Sequence, residues 1–122
     1  MNNNDLKKIA EELIETTNTA GRISIDLYRK GLKKIIKPDN SPVTNGDLEV
    51  NKLLTEKIKI LTPNIPIISE ETVNLKKENK LSTFWLIDPI DGTREYIAGK
   101  DEYTINASLV LNNIPIIGLL GA

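Results

Sequence analysis

Phe84-Trp85-Leu86-Ile87-Asp88-Pro89-Ile90-Asp91-Gly92-Thr93 is the stretch on which the fold turns. Its first four residues form an apolar run too short for a helix, and the run ends at Asp88, which predicts a strand ending in acid. Pro89 has no amide to give a ladder and predicts the exit from that strand, and Gly92 allows a sharp backbone turn. Two carboxylates, Asp88 and Asp91, are thereby held close on one turn. Such a pair repels itself when both are ionised; a divalent cation relieves the repulsion, and all-oxygen donors select Mg²⁺, Mn²⁺ or Ca²⁺. The Ile90 carbonyl between them is a further candidate oxygen ligand. Past the turn, the amides of Gly92 and Thr93 fall at the start of a short helix expected over residues 94–98, where backbone N–H groups favour an anion such as phosphate. Asp-Pro and Asp-Gly are ordinary turn dipeptides, and a lone Asp-Gly between apolar runs is more often a hairpin. The combined string D-P-x-D-G-T is far less ordinary, arising by chance in a chain of this length on the order of once in 10⁴ to 10⁵ sequences.

Upstream, Ile65, Ile67 and Ile68 make a short β-branched run that stops at Ser69-Glu70-Glu71, a second strand ending in acid. If the two strands are parallel neighbours, their carboxyl ends share one sheet edge, where open α/β sheets bind ligands. Residues 72–82 between them are polar and read as a loop. Further back, Thr44 with Asp47 three residues on is a capping-box spacing, followed by an apolar face of Val50, Leu53, Leu54, Ile58 and Leu61 that predicts a helix broken at residues 62–66. Asp47 is thus a helix cap by its spacing and a candidate site acid by its chemistry. Residues 37–42 contain two prolines and read as a loop. The first helix is expected from a cap at Asn4 or Asp5 to the neighbourhood of Gly31, with Leu6, Ile9, Ala10, Leu13, Ile14, Ala20, Ile23 and Leu27 at helical spacing. Downstream, residues 103–111 and 114–120 flank Asn112-Asn113, which suits a type I′ hairpin because Asn tolerates positive φ. The last stretch reads as a buried strand without a polar tail, which predicts a truncated sheet. Helices first and strands later make the class mixed α and β.

Composition narrows the chemistry. The 122 residues include no cysteine and no histidine, which removes disulfides, thiolate nucleophiles, imidazole bases and zinc sites of the usual kind. Carboxylates, hydroxyls, lysines and hard cations are what remain. Sixteen Lys plus Arg against 17 Asp plus Glu give a net charge of −1, which argues against binding a nucleic acid polymer. No apolar run approaches a membrane span and the start MNNNDLKK lacks the apolar core of a signal peptide, so a cytoplasmic protein is expected, with peripheral association at the inner membrane compatible with it.

Asp47, then Glu70-Glu71, then Asp88-Pro89-Ile90-Asp91-Gly92-Thr93 together resemble the D…EE…DPxDGT signature of the lithium-sensitive, metal-dependent phosphomonoesterases of the inositol monophosphatase superfamily. Ser41-Pro42-Val43-Thr44, Ile67-Ile68-Ser69-Glu70-Glu71, the segment from Phe84 to Ile97 and Tyr103-Thr104-Ile105-Asn106 are similar to its bacterial 3′(2′),5′-bisphosphate nucleotidases in particular. An inositol monophosphatase would more usually have Thr-Asn-Phe after the Asp-Gly-Thr and a nearby His-Gly, where this chain has Arg94-Glu95-Tyr96 and no histidine. The resemblance implies the layered αβαβα sugar-phosphatase fold, here the N-terminal portion with two long helices followed by a mixed sheet.

It also implies roles. Glu70, Asp88 and the Ile90 carbonyl would hold one Mg²⁺, and Asp88 and Asp91 would share a second. Glu70, Asp91 and the amides of Gly92 and Thr93 would face the scissile phosphate, while Asp47 and Thr93 would orient and deprotonate the attacking water. The implied substrate is adenosine 3′,5′-bisphosphate, a by-product of sulfate assimilation, cleaved to AMP and phosphate, with Li⁺ inhibitory. A cation at Arg94 would suit a second phosphate, although an exposed helical arginine is usually only solvated. The family continues for roughly as many residues again, with a Trp-Asp motif that completes the second metal site, so the chain alone is expected to be a weak phosphatase or none. The competing expectations are an inositol or sugar monophosphatase, and a non-catalytic metal- or phosphate-binding piece that pairs with a second copy or a complementing C-terminal chain.

Overall fold

The computed structural model describes residues 2–69, 82–100 and 102–121. Its elements are α1 (Asn3–Lys30), β1 (Lys34–Ile36), β2 (Pro42–Thr44), α2 (Asn45–Leu61), β3 (Ile67–Ser69), β4 (Phe84–Asp91), α3 (Thr93–Ile97), β5 (Thr104–Leu111) and β6 (Ile114–Gly121). Four strands form one sheet in the order β3-β4-β5-β6, with β3 parallel to β4 and the other pairs antiparallel. The sheet is mixed, as the sequence predicts.

α1 begins earlier than its apolar pattern suggests. The cap is Asn2, whose side chain accepts from the Asp5 amide, and Asp5 returns the contact as the reciprocal residue of a capping box. Asp5 therefore lies inside the helix, because a cap is decided by which side chain reaches the third amide rather than by where apolar residues start. Gly31 ends the helix at φ 94°. Ile9, Leu13 and Ala20 of α1 pack with Val50, Leu54 and Ile58 of α2 and with Trp85, Ile87, Ile105, Ala107, Leu109 and Ile117 of the sheet. Ile14, expected on the apolar face, is instead exposed, because that face is narrower than the sequence suggests. The Trp85 indole donates to Thr62 Oγ1 at 3.0 Å, which satisfies the only polar atom of the largest core side chain at the capping residue of α2.

Three further expectations change. Residues 37–41 are the turn of a small antiparallel hairpin, and Pro42 opens β2, opposite Ile36. Pro is tolerated there as the first residue of a strand. Pro89 does not end β4, which runs on to Asp91; the ladder with β5 shifts register between Asp88 and Asp91, and the missing amide sits in that irregularity. The exit comes at Gly92. Finally, β6 is not buried throughout: Ile117 packs on the core while Ile114 and Ile116 are exposed, as an edge strand with one covered face requires. The hairpin at Asn112 and Asn113 forms as expected, with φ of 50° and 68°. The loop expected at residues 72–82 lies outside the described residues except for Ser82. No helix among the described residues is long and apolar enough to cross a membrane.

Candidate active site

The site is built where two turns meet. β2 runs directly into α2, and Thr44 caps that helix in extended backbone, φ −118° and ψ 167°. Its hydroxyl donates to Asp47 Oδ2 at 2.5 Å and its amide donates to the same oxygen at 2.9 Å. These contacts fix the Asp47 carboxylate, which is 0% exposed. The other oxygen, Oδ1, accepts from Thr93 Oγ1 at 2.9 Å across 46 residues of sequence. Asp47 is therefore both the capping acid its spacing predicts and a partner of the Asp-Gly-Thr turn. The sequence supports each role separately; the contact between them is a finding of the fold.

The second turn follows β4. Gly92 caps α3 with φ 94° and ψ 45°, a left-handed conformation that an L side chain takes only at a cost. A Cβ there would also come within 3.0 Å of the Glu102 carbonyl. Thr93 opens α3, and its hydroxyl lies 3.3 Å from the Ile90 carbonyl as well as 2.9 Å from Asp47. Ile90 is buried, and the Thr93 hydroxyl ties its carbonyl to the same turn.

Asp88 faces away from the helices, on the side of the sheet opposite Ile87, and pairs across the ladder with Asn106. Its Oδ1 is a buried atom, and so is Asn106 Oδ1, which has no hydrogen-bond donor among the described residues. Asp91 is exposed at the end of β4. Parallel pairing sets Ser69 opposite Ile87, so the last described residue of β3 stands one position short of the level of Asp88. Glu70 and Glu71 lie outside the described residues. Among the described residues no group of three acids is close enough to hold a metal ion. The ligand atoms among the described residues, two carboxylates, a backbone carbonyl and a buried amide oxygen, are all hard oxygens, a set that fits Mg²⁺ rather than a soft transition metal.

A cleft of about 240 Å³ opens beside this turn, with Lys37, Ser41, Gly92, Thr93, Arg94 and Glu95 in its wall. The β1–β2 hairpin thus brings a lysine toward the Asp-Gly-Thr turn, a placement the sequence did not signal. Behind the turn, Tyr96 is fully buried and its hydroxyl donates to the Ser24 carbonyl at 2.6 Å. Burial pushes this phenol well above the ordinary tyrosine value, and Tyr103 and the Asp47 carboxylate push the same way. Ser69 Oγ donates to Asn51 Oδ1, tying the end of β3 to α2.

The class the fold defines is a mixed α/β layer in which a threonine at the turn after β4 bonds a buried carboxylate at the start of α2. The chain belongs to the inositol monophosphatase family, whose model matches residues 5–122. It is similar to the 3′(2′),5′-bisphosphate nucleotidase CysQ of Buchnera aphidicola, 34% identical over 98% of this chain and 46% of that one. The CysQ of Aggregatibacter actinomycetemcomitans is 37% identical over 93% of this chain and 43% of its own. Among solved structures, an IMPase/NADP phosphatase complexed with Mg²⁺ and phosphate superposes with a TM-score of 0.73 at 20% identity, over 93% of this chain and 42% of that one. The chain spans less than half the length of these relatives.

Proposed function

We propose that this chain supplies the metal- and phosphate-binding acids of a Mg²⁺-dependent phosphomonoesterase acting on adenosine 3′,5′-bisphosphate, releasing phosphate and AMP. The observation that carries the reading is the hydrogen bond from Thr93 Oγ1 to Asp47 Oδ1, because it couples the Asp-Gly-Thr turn to a buried carboxylate through the one oxygen that the α2 cap does not engage. In this reading Thr93 Oγ1 accepts the proton of the attacking water and passes its own to Asp47 Oδ1. Thr44 keeps Oδ2 engaged throughout, so Oδ1 is the oxygen left to receive that proton. Asp88, Asp91, the Ile90 carbonyl and Glu70 would hold the cations, and Asp91, Glu70 and the amides of Gly92 and Thr93 would face the phosphate. Such ions, when bound, would acidify a water and offset the charge that builds on the phosphoryl oxygens, chemistry that needs no histidine. The choice of a nucleotide over an inositol phosphate rests on the CysQ relatives and on Arg94-Glu95-Tyr96 after the turn.

Because the chain spans less than half of its relatives, its own turnover is expected to be weak or absent. The test measures Mg²⁺-dependent phosphate release and competitive binding together. The reading expects adenosine 3′,5′-bisphosphate to displace bound inorganic phosphate at lower concentration than inositol 1-phosphate does, with little release by the 122 residues alone. Equal displacement by the two, or preference for the inositol ester, contradicts the substrate assignment.

A further inference from the structure

Tyr96 has no part in the chemistry above, yet it touches three of the pieces that frame it. It sits three residues after Thr93 on the five-residue α3, hence on the same side of that turn. Its hydroxyl reaches back to the Ser24 carbonyl of α1, 72 residues away in sequence. Its ring lies 4.8 Å from that of Tyr103, whose own hydroxyl is 3.0 Å from Ser24 Oγ. The third contact is with α2. A Cβ added to Gly46 would stand 2.3 Å from the Tyr96 hydroxyl oxygen, 2.7 Å from Cε2 and 2.9 Å from Cζ. Gly46 does not need glycine for its backbone, since it has no positive φ, and glycine inside a helix costs about 1 kcal/mol relative to alanine. The phenol of Tyr96 is what requires it. Gly46 is the residue immediately before Asp47.

We propose that Tyr96 is a positioning residue: wedged between α1 and the first turn of α2, its phenol sets the separation at which Thr93 Oγ1 meets Asp47 Oδ1. One wall of the wedge lies next to Asp47 and the other end of α3 carries Thr93, so both members of the hydrogen-bonded pair are braced by the same side chain. The Ser24 carbonyl fixes the depth to which the ring enters. A phenylalanine would keep the ring and lose that stop. The proposal rests on the functional reading only in what the pair is for; the brace itself is a statement about this fold.

The test compares Tyr96→Phe with Tyr103→Phe, which removes the neighbouring hydroxyl from the same cluster without touching α2. Each is measured for stability, for Mg²⁺-dependent affinity toward inorganic phosphate, and for amide exchange at residues 44–48 and 92–97. Tyr96→Phe is expected to stay folded and lose about three- to tenfold in phosphate affinity, the size of one neutral hydrogen bond. Its exchange is expected to quicken at those two segments and not in β5 or β6. Tyr103→Phe, at a similar loss of stability, is expected to leave affinity unchanged. Gly46→Ala is expected to weaken affinity as well, and adding Tyr96→Phe is expected to restore part of it. If the two tyrosine variants lose affinity in proportion to stability alone, or if exchange rises uniformly, the proposal is overturned. If the unmodified chain binds no phosphate with Mg²⁺, the functional reading fails and exchange decides: selective quickening at residues 44–48 upholds the brace, and its absence overturns it.

Discussion

Asp47 illustrates what single residues do here. Its carboxylate collects an amide and two hydroxyl donors while wholly buried, so each donor removed leaves an acceptor short of a partner in a place water does not reach. Thr93→Val, close in shape and lacking the donor, is therefore expected to cost about 1–3 kcal/mol in urea unfolding, more than a surface threonine would. Tyr96 makes a second prediction. Its phenol titrates at 10.0 when free and well above that when folded, so the protonated form is favoured by folding. That contribution is fully present below pH 10 and is lost as pH rises from there toward the raised folded value. Alkaline unfolding should begin above about pH 10 and Tyr96→Phe should blunt the pH dependence, measured as stability against pH between 9 and 12. At this scale the sequence was partly readable. Asp47, Asp88, Asp91 and Thr93 stand out by type and spacing, but a contact spanning 46 residues, or a glycine made necessary by a distant phenol, leaves no local pattern.

Elements were read well where chemistry is local. The Thr44–Asp47 capping box forms as its spacing predicts, and the two asparagines take the positive φ that a type I′ turn needs. Thr44→Ala should cost about 1 kcal/mol or somewhat more, since it also withdraws a donor from Asp47, and thermal unfolding of the variant checks it. Elements were misread where the outcome depends on a neighbour. Pro89 looked like a stop, but the ladder to β5 slips at that point and absorbs it, so Asp91 stays on the strand. Residues 37–42 read as plain loop because β1 has three residues, all exposed, and among the described residues pairs with β2 alone. That hairpin matters, since it carries Lys37 to the cleft beside Gly92.

Among the described residues, helices cover one face of the sheet. α1 and α2 pack on the face that carries Trp85, Ile87 and Ile117, while Leu86 and Ile116 on the other face remain 48% and 44% exposed. The parallel β3–β4 pair sets the carboxyl ends of two strands side by side, and at such an edge open α/β sheets gather ligands. Family membership and mixed architecture agree with the resemblance carried by D-P-x-D-G-T. The most direct test of the central claim, that these acids bind a divalent cation and through it a phosphate, is calorimetric titration of the chain with inorganic phosphate, with and without Mg²⁺, beside Asp88→Asn. Saturable binding that requires Mg²⁺ and weakens by about tenfold or more in the variant is expected. Binding that is equal without Mg²⁺, equal in Asp88→Asn, or absent from the unmodified chain would contradict it.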